Sequence, residues 1–232
     1  MKLSVIIPVF NEKATIIKIL KKVEDIKEIK KQIIVVDDGS TDGSYDLISK
    51  FNFISEYKII KHERNRGKGS CIKSSQNYIS GDVVIIQDAD LEYNPNDYVR
   101  IIRPIKSKLK NVVYGSRVLN KKRYIQNNFI SNFRIFANHI LTLITNFLFF
   151  QKLTDAHTCY KAFDSKIFKE ISLKEDDFAF CPEITAKVSK LGYKIYEVPI
   201  TYFGRSYDEG KKISFYDGIR AILVLLKYKF FN

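Results

Sequence analysis

A chain of 232 residues with 45% hydrophobic and 13% aromatic side chains can bury one full core, the size of a single α/β domain. Its 39 Lys+Arg against 26 Asp+Glu give a net charge of +13, a field that favours nucleotide phosphates, lipid phosphates or an anionic membrane surface. Nucleic acid is disfavoured because no RNA-binding aromatic motif or basic-helix signature is present. Cys71, Cys159 and Cys181, far apart and without C-x-x-C spacing, argue against a disulfide framework or a zinc site and suit a reducing cytoplasm.

The first apolar run, residues 3–10, is too short to span a membrane, and Asn11 and Glu12 follow it where a signal peptide would need small residues. It reads as a buried strand. Ile16, Ile17, Leu20 and Val23 then form an apolar stripe with lysines opposite, as in a helix packed on a sheet. Further β-branched runs at 32–36, 57–61, 83–87 and 111–114 alternate with polar punctuation and helical spacing. A helix carrying Ile72, Gln76 and Ile79 is expected to end at Gly81. The alternation predicts an α/β fold, a mainly parallel sheet flanked by helices. From 128 to 153 the chain is rich in Phe, Leu and Ile, but Arg134, Asn138, His139 and Asn146 interrupt it. An amphipathic helix is expected there rather than a span. Its apolar face is expected to complete the core, the alternative being contact with lipid. Residues 219–231 repeat the pattern beside Arg220, Lys227 and Lys229.

In an open parallel sheet, ligands bind beyond the carboxyl ends of the strands. Three acidic loops fall there: Pro8-Val9-Phe10-Asn11-Glu12, Asp37-Asp38-Gly39-Ser40-Thr41-Asp42 and Asp88-Ala89-Asp90-Leu91-Glu92. Each alone reads as a loop and helix cap, with Ser40 or Thr41 capping one helix and Asn94-Pro95 opening another. Together their carboxylates repel unless a cation or ligand hydroxyls offset the charge. Asp88 and Asp90 can hold a hard cation, Mg²⁺ or Mn²⁺, with Glu92 as a third metal ligand. Asp37 or Asp38 can then accept from ribose hydroxyls or a base N–H. Lys68, in a glycine-flanked basic loop, suits phosphates. His62 and His139 read as bystanders.

The segments SVIIPVFNE, VVDDGSTD, NRGKGS and DADLEYNP, in this order and spacing, resemble the family 2 glycosyltransferases of the GT-A (Rossmann-like) fold. The closest likeness is to the dolichol-phosphate and polyprenyl-phosphate sugar synthases, strong through Arg117 and looser beyond. The resemblance implies that Asp88 and Asp90 hold the metal and diphosphate, and that Pro8, Phe10, Glu12 and Asp38 line the nucleotide pocket. It implies that Arg117, in Gly115-Ser116-Arg117, meets a lipid phosphate, with Arg134 a second acceptor-binding candidate. Residues 154–161 stand in the place of the family's acceptor loop, which contains Asp155, although Thr-Cys-Tyr-Lys replaces the usual Ser-Gly-Phe-Arg type. Arg205 and Lys211 match basic residues that close over donor phosphates. Glu92 departs from the Gln common in mannosyl synthases.

The expectation is one domain over 1–232, with a nucleotide-sugar half at 1–118 and an acceptor half at 119–232. It would be an inverting transferase that is cytoplasmic and peripheral on the inner membrane face. Its partners would be a nucleotide-sugar donor and a polyprenyl-phosphate acceptor, with Asp90, Arg117 and Asp155 as catalytic candidates. Two rivals remain. A hydroxyl acceptor would require Asp155 as general base. A non-catalytic binding module would retain the nucleotide fold without turnover.

Overall fold

The computed structural model describes residues 1–119, 129–205 and 215–231. The chain opens with β1 (Lys2–Val9), α1 (Ile16–Glu24), β2 (Lys30–Asp37), α2 (Ser44–Ser49), β3 (Glu56–Lys61), α3 (Lys68–Ser75) and β4 (Val83–Ile86). It continues with α4 (Tyr98–Lys106), β5 (Val112–Ser116), α5 (Phe129–Phe149), β6 (Lys161–Asp164), α6 (Ser165–Glu170), α7 (Phe180–Lys190), β7 (Tyr196–Pro199) and α8 (Phe215–Phe230). The strands form one sheet in the order β3-β2-β1-β4-β6-β5-β7. Every pairing is parallel except those of β6, which runs antiparallel to both β4 and β5.

The five predicted strands form close to their expected places; both faces of the sheet are covered over β1, β2, β4 and β5, which turns their β-branched runs into buried strands, while β3 at the edge stays partly exposed. Leu3, Val5, Ile7 and Val9 point into a core with α1 and α4, while Ile6, Ile34 and Ile86 point into a second core with α3 and α7. Fully burying each such side chain stabilises by about 1.5–3 kcal/mol.

Three expectations change. The helix after Gly67 is α-helical only to Ser75 and closes with a 3₁₀ turn at Gln76–Tyr78, so Ile79 and Gly81 lie beyond it. Gly81 is not a helix cap. It packs against β1, where an added Cβ would stand 2.7 Å from the Ser4 nitrogen, and its own N–H donates to Ser4 Oγ at 2.9 Å. One sheet joins residues 1–118 and 119–232, with β6 of the second stretch lying between β4 and β5 of the first. Finally, α5 completes the core with only part of its apolar surface: Ile144, Leu148 and Phe149 pack with α8, whereas Phe136, Ile140, Leu143 and Phe147 are exposed and Thr142 and Thr145 are buried.

Candidate active site

The loops after β1 and β2 are stitched together before any ligand is considered. Asn11 N–H donates to Ser40 Oγ at 3.0 Å, Thr41 N–H to Asn11 Oδ1 at 2.9 Å, Glu12 N–H to Ser44 Oγ at 2.9 Å and Lys13 N–H to Asp42 Oδ2 at 2.9 Å. Ser40 is therefore a tie between loops rather than a cap; α2 begins at Ser44 behind Gly43. Asn11 has φ 53°, and Leu91, between Asp90 and Glu92, has φ 66°. Left-handed backbone is costly for a side chain such as leucine, and it clusters at functional loops where the surroundings enforce it.

Asp88 and Asp90 follow β4, and the structure brings Glu12, Lys68, Glu92 and Arg205 to them. Lys68, at the start of α3, forms an ion pair with Asp88. Arg205 Nη2 reaches Asp90 Oδ2 at 3.2 Å and Glu12 Oε1 at 3.1 Å, while its Nη1 reaches Glu12 Oε2 at 3.2 Å. Burial, then the neighbouring Asp88 and Glu92 carboxylates, push Asp90 up to about 7. A crowded acidic pair of this kind gains from a divalent cation, which Asp88 and Asp90 are chemically suited to hold with phosphate oxygens as further ligands.

Glu92 has a different task from the metal ligand expected. Both its oxygens are engaged: Oε1 accepts from Arg205 N–H at 2.7 Å and Oε2 from the Tyr202 hydroxyl at 2.8 Å. Its carbonyl takes Phe203 N–H at 2.9 Å, and Tyr93 bridges to Tyr202. Glu92 therefore fastens the 202–205 segment, and with it Arg205, over the acidic pair. Glu92→Gln is expected to leave Mn²⁺ affinity nearly unchanged while lowering donor affinity about tenfold, the loss typical of a supporting contact. Calorimetric titration with each ligand separates the two.

Around the nucleoside loop, Asp37 is fully buried; its Oδ1 accepts Ser40 N–H at 3.1 Å, and its Oδ2 has no hydrogen-bond partner among the described residues. Buried orphan acceptors are rare and mark a place for a ligand donor. Arg205 Nε is a buried orphan donor in the same cluster. Asp38 is held by Arg66 and Gly67 N–H groups at 3.0 and 2.7 Å and by His62 Nδ1 at 2.7 Å. His62 is thus no bystander: it is buried, and Ser74 Oγ lies 2.9 Å from its other ring nitrogen. Gly67, at φ 97°, lets this loop pass under Asp176, whose carbonyl oxygen would lie 2.5 Å from an added Cβ. Pro8, in β1, pairs with Val36, and Phe10 directly follows the strand, so both border the same loops.

Arg117, just beyond β5, grips Asp155 through Nε at 2.6 Å and Nη2 at 2.7 Å, and its backbone N–H adds a third bond at 3.1 Å. Asn138 of α5 donates to the same carboxylate at 3.2 Å. Glu197 of β7 orients the loop by accepting Thr154 and Asp155 N–H groups at 2.7 and 2.9 Å. Burial opposes the Asp155 charge, but Arg117 overrides it and holds the carboxyl at about 2. A carboxylate so placed is a poor proton acceptor and a firm anchor for a cation. His157, beside it, is driven down to about 3 by burial and by Lys161, so its imidazole is neutral.

The two clusters share a wall. The Tyr202 ring lies 5.2 Å beneath the Arg117 guanidinium while its hydroxyl bonds Glu92. Tyr93 packs on Tyr202 at 5.2 Å, and its hydroxyl accepts Cys159 N–H at 3.1 Å. Tyr93, Cys159 and Tyr202 are missed by motif reading because each is a single residue placed by the fold. Lys211 and the side chain of Arg134 lie outside the described residues.

Residues 4–172 match the model for Glycosyl transferase family 2. The chain belongs to this family. The transferase is 28% identical over 245 residues to the UDP-N-acetylglucosamine--dolichyl-phosphate N-acetylglucosaminyltransferase of Methanococcus voltae, covering 97% of this chain and 94% of that protein. It is 26% identical over 239 residues to the dolichol-phosphate mannosyltransferase of Pyrococcus furiosus, covering 99% of this chain and 65% of the relative. Among solved structures, glucosyl-3-phosphoglycerate synthase from Mycobacterium tuberculosis, in complex with Mn²⁺, UDP and phosphoglyceric acid, superposes with a TM-score of 0.72 at 18% identity, covering 100% of this chain and 79% of that one. Mannosyl-3-phosphoglycerate synthase from Rubrobacter xylanophilus gives 0.73 at 17% identity, covering 98% and 72%. These structures establish the GT-A fold expected from the motifs.

Proposed function

We propose that this transferase moves a hexose, with inversion, from a nucleotide-sugar (GDP-mannose or a UDP-sugar) to a polyprenyl or dolichyl phosphate at the cytoplasmic face of a membrane. The Arg117–Asp155 pair carries this reading. A hydroxyl acceptor has to lose a proton, and Asp155, held at about 2 with both oxygens engaged, is too weak a base to take it. A phosphate acceptor is already anionic and needs a fixed cation instead. Arg117 Nη1 has no hydrogen-bond partner among the described residues and supplies that edge. The dolichyl-phosphate acceptors named for the Methanococcus voltae and Pyrococcus furiosus relatives support the same class.

Asp88 and Asp90 are the residues that hold Mg²⁺ or Mn²⁺; when bound, the cation stabilises the charge of the departing nucleotide diphosphate. Lys68 exchanges Asp88, and Arg205 exchanges Asp90, for diphosphate oxygens. Asp37 accepts from the nucleoside through its unpaired Oδ2 while Asp38 holds the 66–67 loop beside it, and Glu12 keeps Arg205 aimed at the leaving group. Arg117 presents the acceptor phosphate across the Tyr202 wall, so that the nucleophile arrives positioned and no proton transfer is needed.

Incubation with labelled nucleotide-sugars, Mg²⁺ or Mn²⁺ and polyprenyl phosphate tests the reading. Metal-dependent label in the organic phase is expected with one donor. Label appearing only in a water-soluble product overturns the lipid acceptor and leaves the transferase assignment standing.

A further inference from the structure

Helix α5 buries two stripes: an apolar one, Ile144, Leu148 and Phe149, packs with α8, and a polar one faces the loop before β6. Asn138, Thr142 and Asn146, spaced i, i+4, i+8, zip onto that loop. Asn138 donates to Asp155 at 3.2 Å, Thr142 Oγ1 accepts Ala156 N–H at 3.2 Å, and Asn146 exchanges two bonds of 2.8 Å with the Leu153 backbone. Its outward face carries Phe136, Ile140, Leu143 and Phe147, spaced i, i+4, i+7, i+11 and from 39% to 82% exposed. Neighbouring α8 buries Val224, Leu225 and Tyr228 and leaves Ile219, Leu223 and Phe230 outside. Two adjacent helices thus present one apolar face, the kind of contiguous exposure that marks a contact with a partner or a membrane.

The rim of that face is basic. Lys229 stands 5.7 and 5.1 Å from the Phe149 and Phe150 rings, and Lys194 donates to the Phe150 carbonyl at 2.7 Å. Lys152 is exposed beside them. Long basic side chains at the edge of an apolar helix face match the boundary between acyl chains and anionic headgroups. A symmetric second copy fits less well, because a two-fold self-contact would bring these lysines towards their own images. Among the described residues no helix is long and apolar enough to cross a membrane, so the face meets a bilayer from outside.

We propose that the outer face of α5 and α8 is a docking surface for an anionic lipid bilayer. Phe147, Leu223 and Phe230 enter the acyl boundary while Lys152, Lys194 and Lys229 lie among headgroups. The inference deepens the lipid-phosphate reading and rests on it for the choice of a lipid occupant. The same helix that faces lipid holds, through Asn138, the carboxylate that anchors Arg117, so docking sets the acceptor site at the membrane surface.

Co-sedimentation with sucrose-loaded vesicles tests the surface without donor or acceptor. Vesicles of phosphatidylcholine with phosphatidylglycerol are expected to bind at least about tenfold more tightly than phosphatidylcholine alone, with the preference shrinking as salt rises. The double variant Phe147→Ser, Leu223→Ser is expected to lose about tenfold or more in vesicle affinity, since it removes inserted apolar area. Lys152→Gln with Lys194→Gln is expected to remove only the anionic preference. An unchanged melting temperature of the double variant shows that its fold is intact. Equal vesicle binding by the wild type and the double variant overturns the proposal. So does a wild-type dimer, seen by light scattering, that the double variant dissolves. Failure of the lipid-phosphate reading appears elsewhere, as absence of label from the organic phase while vesicle binding persists.

Discussion

Asp90→Asn is expected to abolish sugar transfer, by about 10³-fold or more in kcat, while leaving the protein as stable as the wild type or more so. The two effects have one cause. Asp90 is a buried carboxylate pushed up to about 7 by burial and by Asp88 and Glu92, so its charge is a cost to the folded state. The amide keeps the shape and removes that repulsion, and relief of strain at an active site commonly raises stability while activity falls. Arg205 keeps its second partner, Glu12, so the loop that carries it stays in place. What the amide lacks is the negative charge proposed, with Asp88, to hold a divalent cation at the leaving diphosphate. Loss of electrostatic stabilisation of a leaving group at one contact is worth about 10²–10³-fold, and loss of the cation itself more. Thermal unfolding beside single-turnover transfer measures both; a variant that still turns over near the wild-type rate removes Asp90 from the mechanism.

Arg117→Ala carries the second large effect, on the acceptor side and with the opposite sign for stability. It removes the cation expected to receive the acceptor phosphate, and kcat/KM for acceptor is expected to fall by about 10²–10³-fold with donor KM little changed. It also leaves Asp155 buried and charged with only Asn138 and the residue 117 N–H to support it. Breaking a buried pair in this way costs about 3–5 kcal/mol. The pH dependence identifies the pair. In the wild type, Asp155 is held below the usual carboxylate range, so its contribution is complete above about pH 4 and is lost as pH falls towards 2. In the variant, the guanidinium no longer offsets the burial that raises Asp155, so the melting-temperature deficit is greatest at neutral pH and narrows on acidification as the carboxyl takes up a proton. A deficit that is flat with pH denies the pairing its role. Arg117→Lys is expected to recover only part of the loss, since an ammonium cannot form the two-pronged grip on Asp155.

The features legible in the sequence were those set by local pattern. β1, β2 and β4 are apolar runs closed by acidic loops, and their carboxyl ends converge because parallel strands all point one way. That geometry places Asp37, Asp88 and Asp90 together whatever the loop details. What the pattern could not reveal was which carboxylate oxygens would be used up by the protein itself. Glu92 and Asp38 look like their neighbours in sequence, but Tyr202, Arg205, His62 and the 66–67 backbone, all distant along the chain, saturate them. The orientation of α5 was hidden for a related reason. A helical period shows that a helix has two faces, and only the placement of its neighbours decides which turns inward. Here Asn138, Thr142 and Asn146 are spent on the next loop, Asn138 on the Asp155 carboxylate and the others on its backbone, which leaves part of the apolar face outside.

The direction of β6 has a consequence for how the molecule assembles. β3, β2, β1 and β4 come from one continuous stretch and can pair in chain order, but β5, although made next, touches none of them. It waits for a strand nearly fifty positions later to slide in between, and closing so long an interval is slow. The first four strands are therefore expected to be protected from hydrogen exchange early in refolding, and β5, β6 and β7 late and together. Because β6 arrives head-down, the stretch leading into it, 154–160, is laid across the ligand end of the sheet by the same event. The polypeptide acquires its nucleotide-facing edge first, and the clamp around Arg117 is the last part of the enzyme to exist.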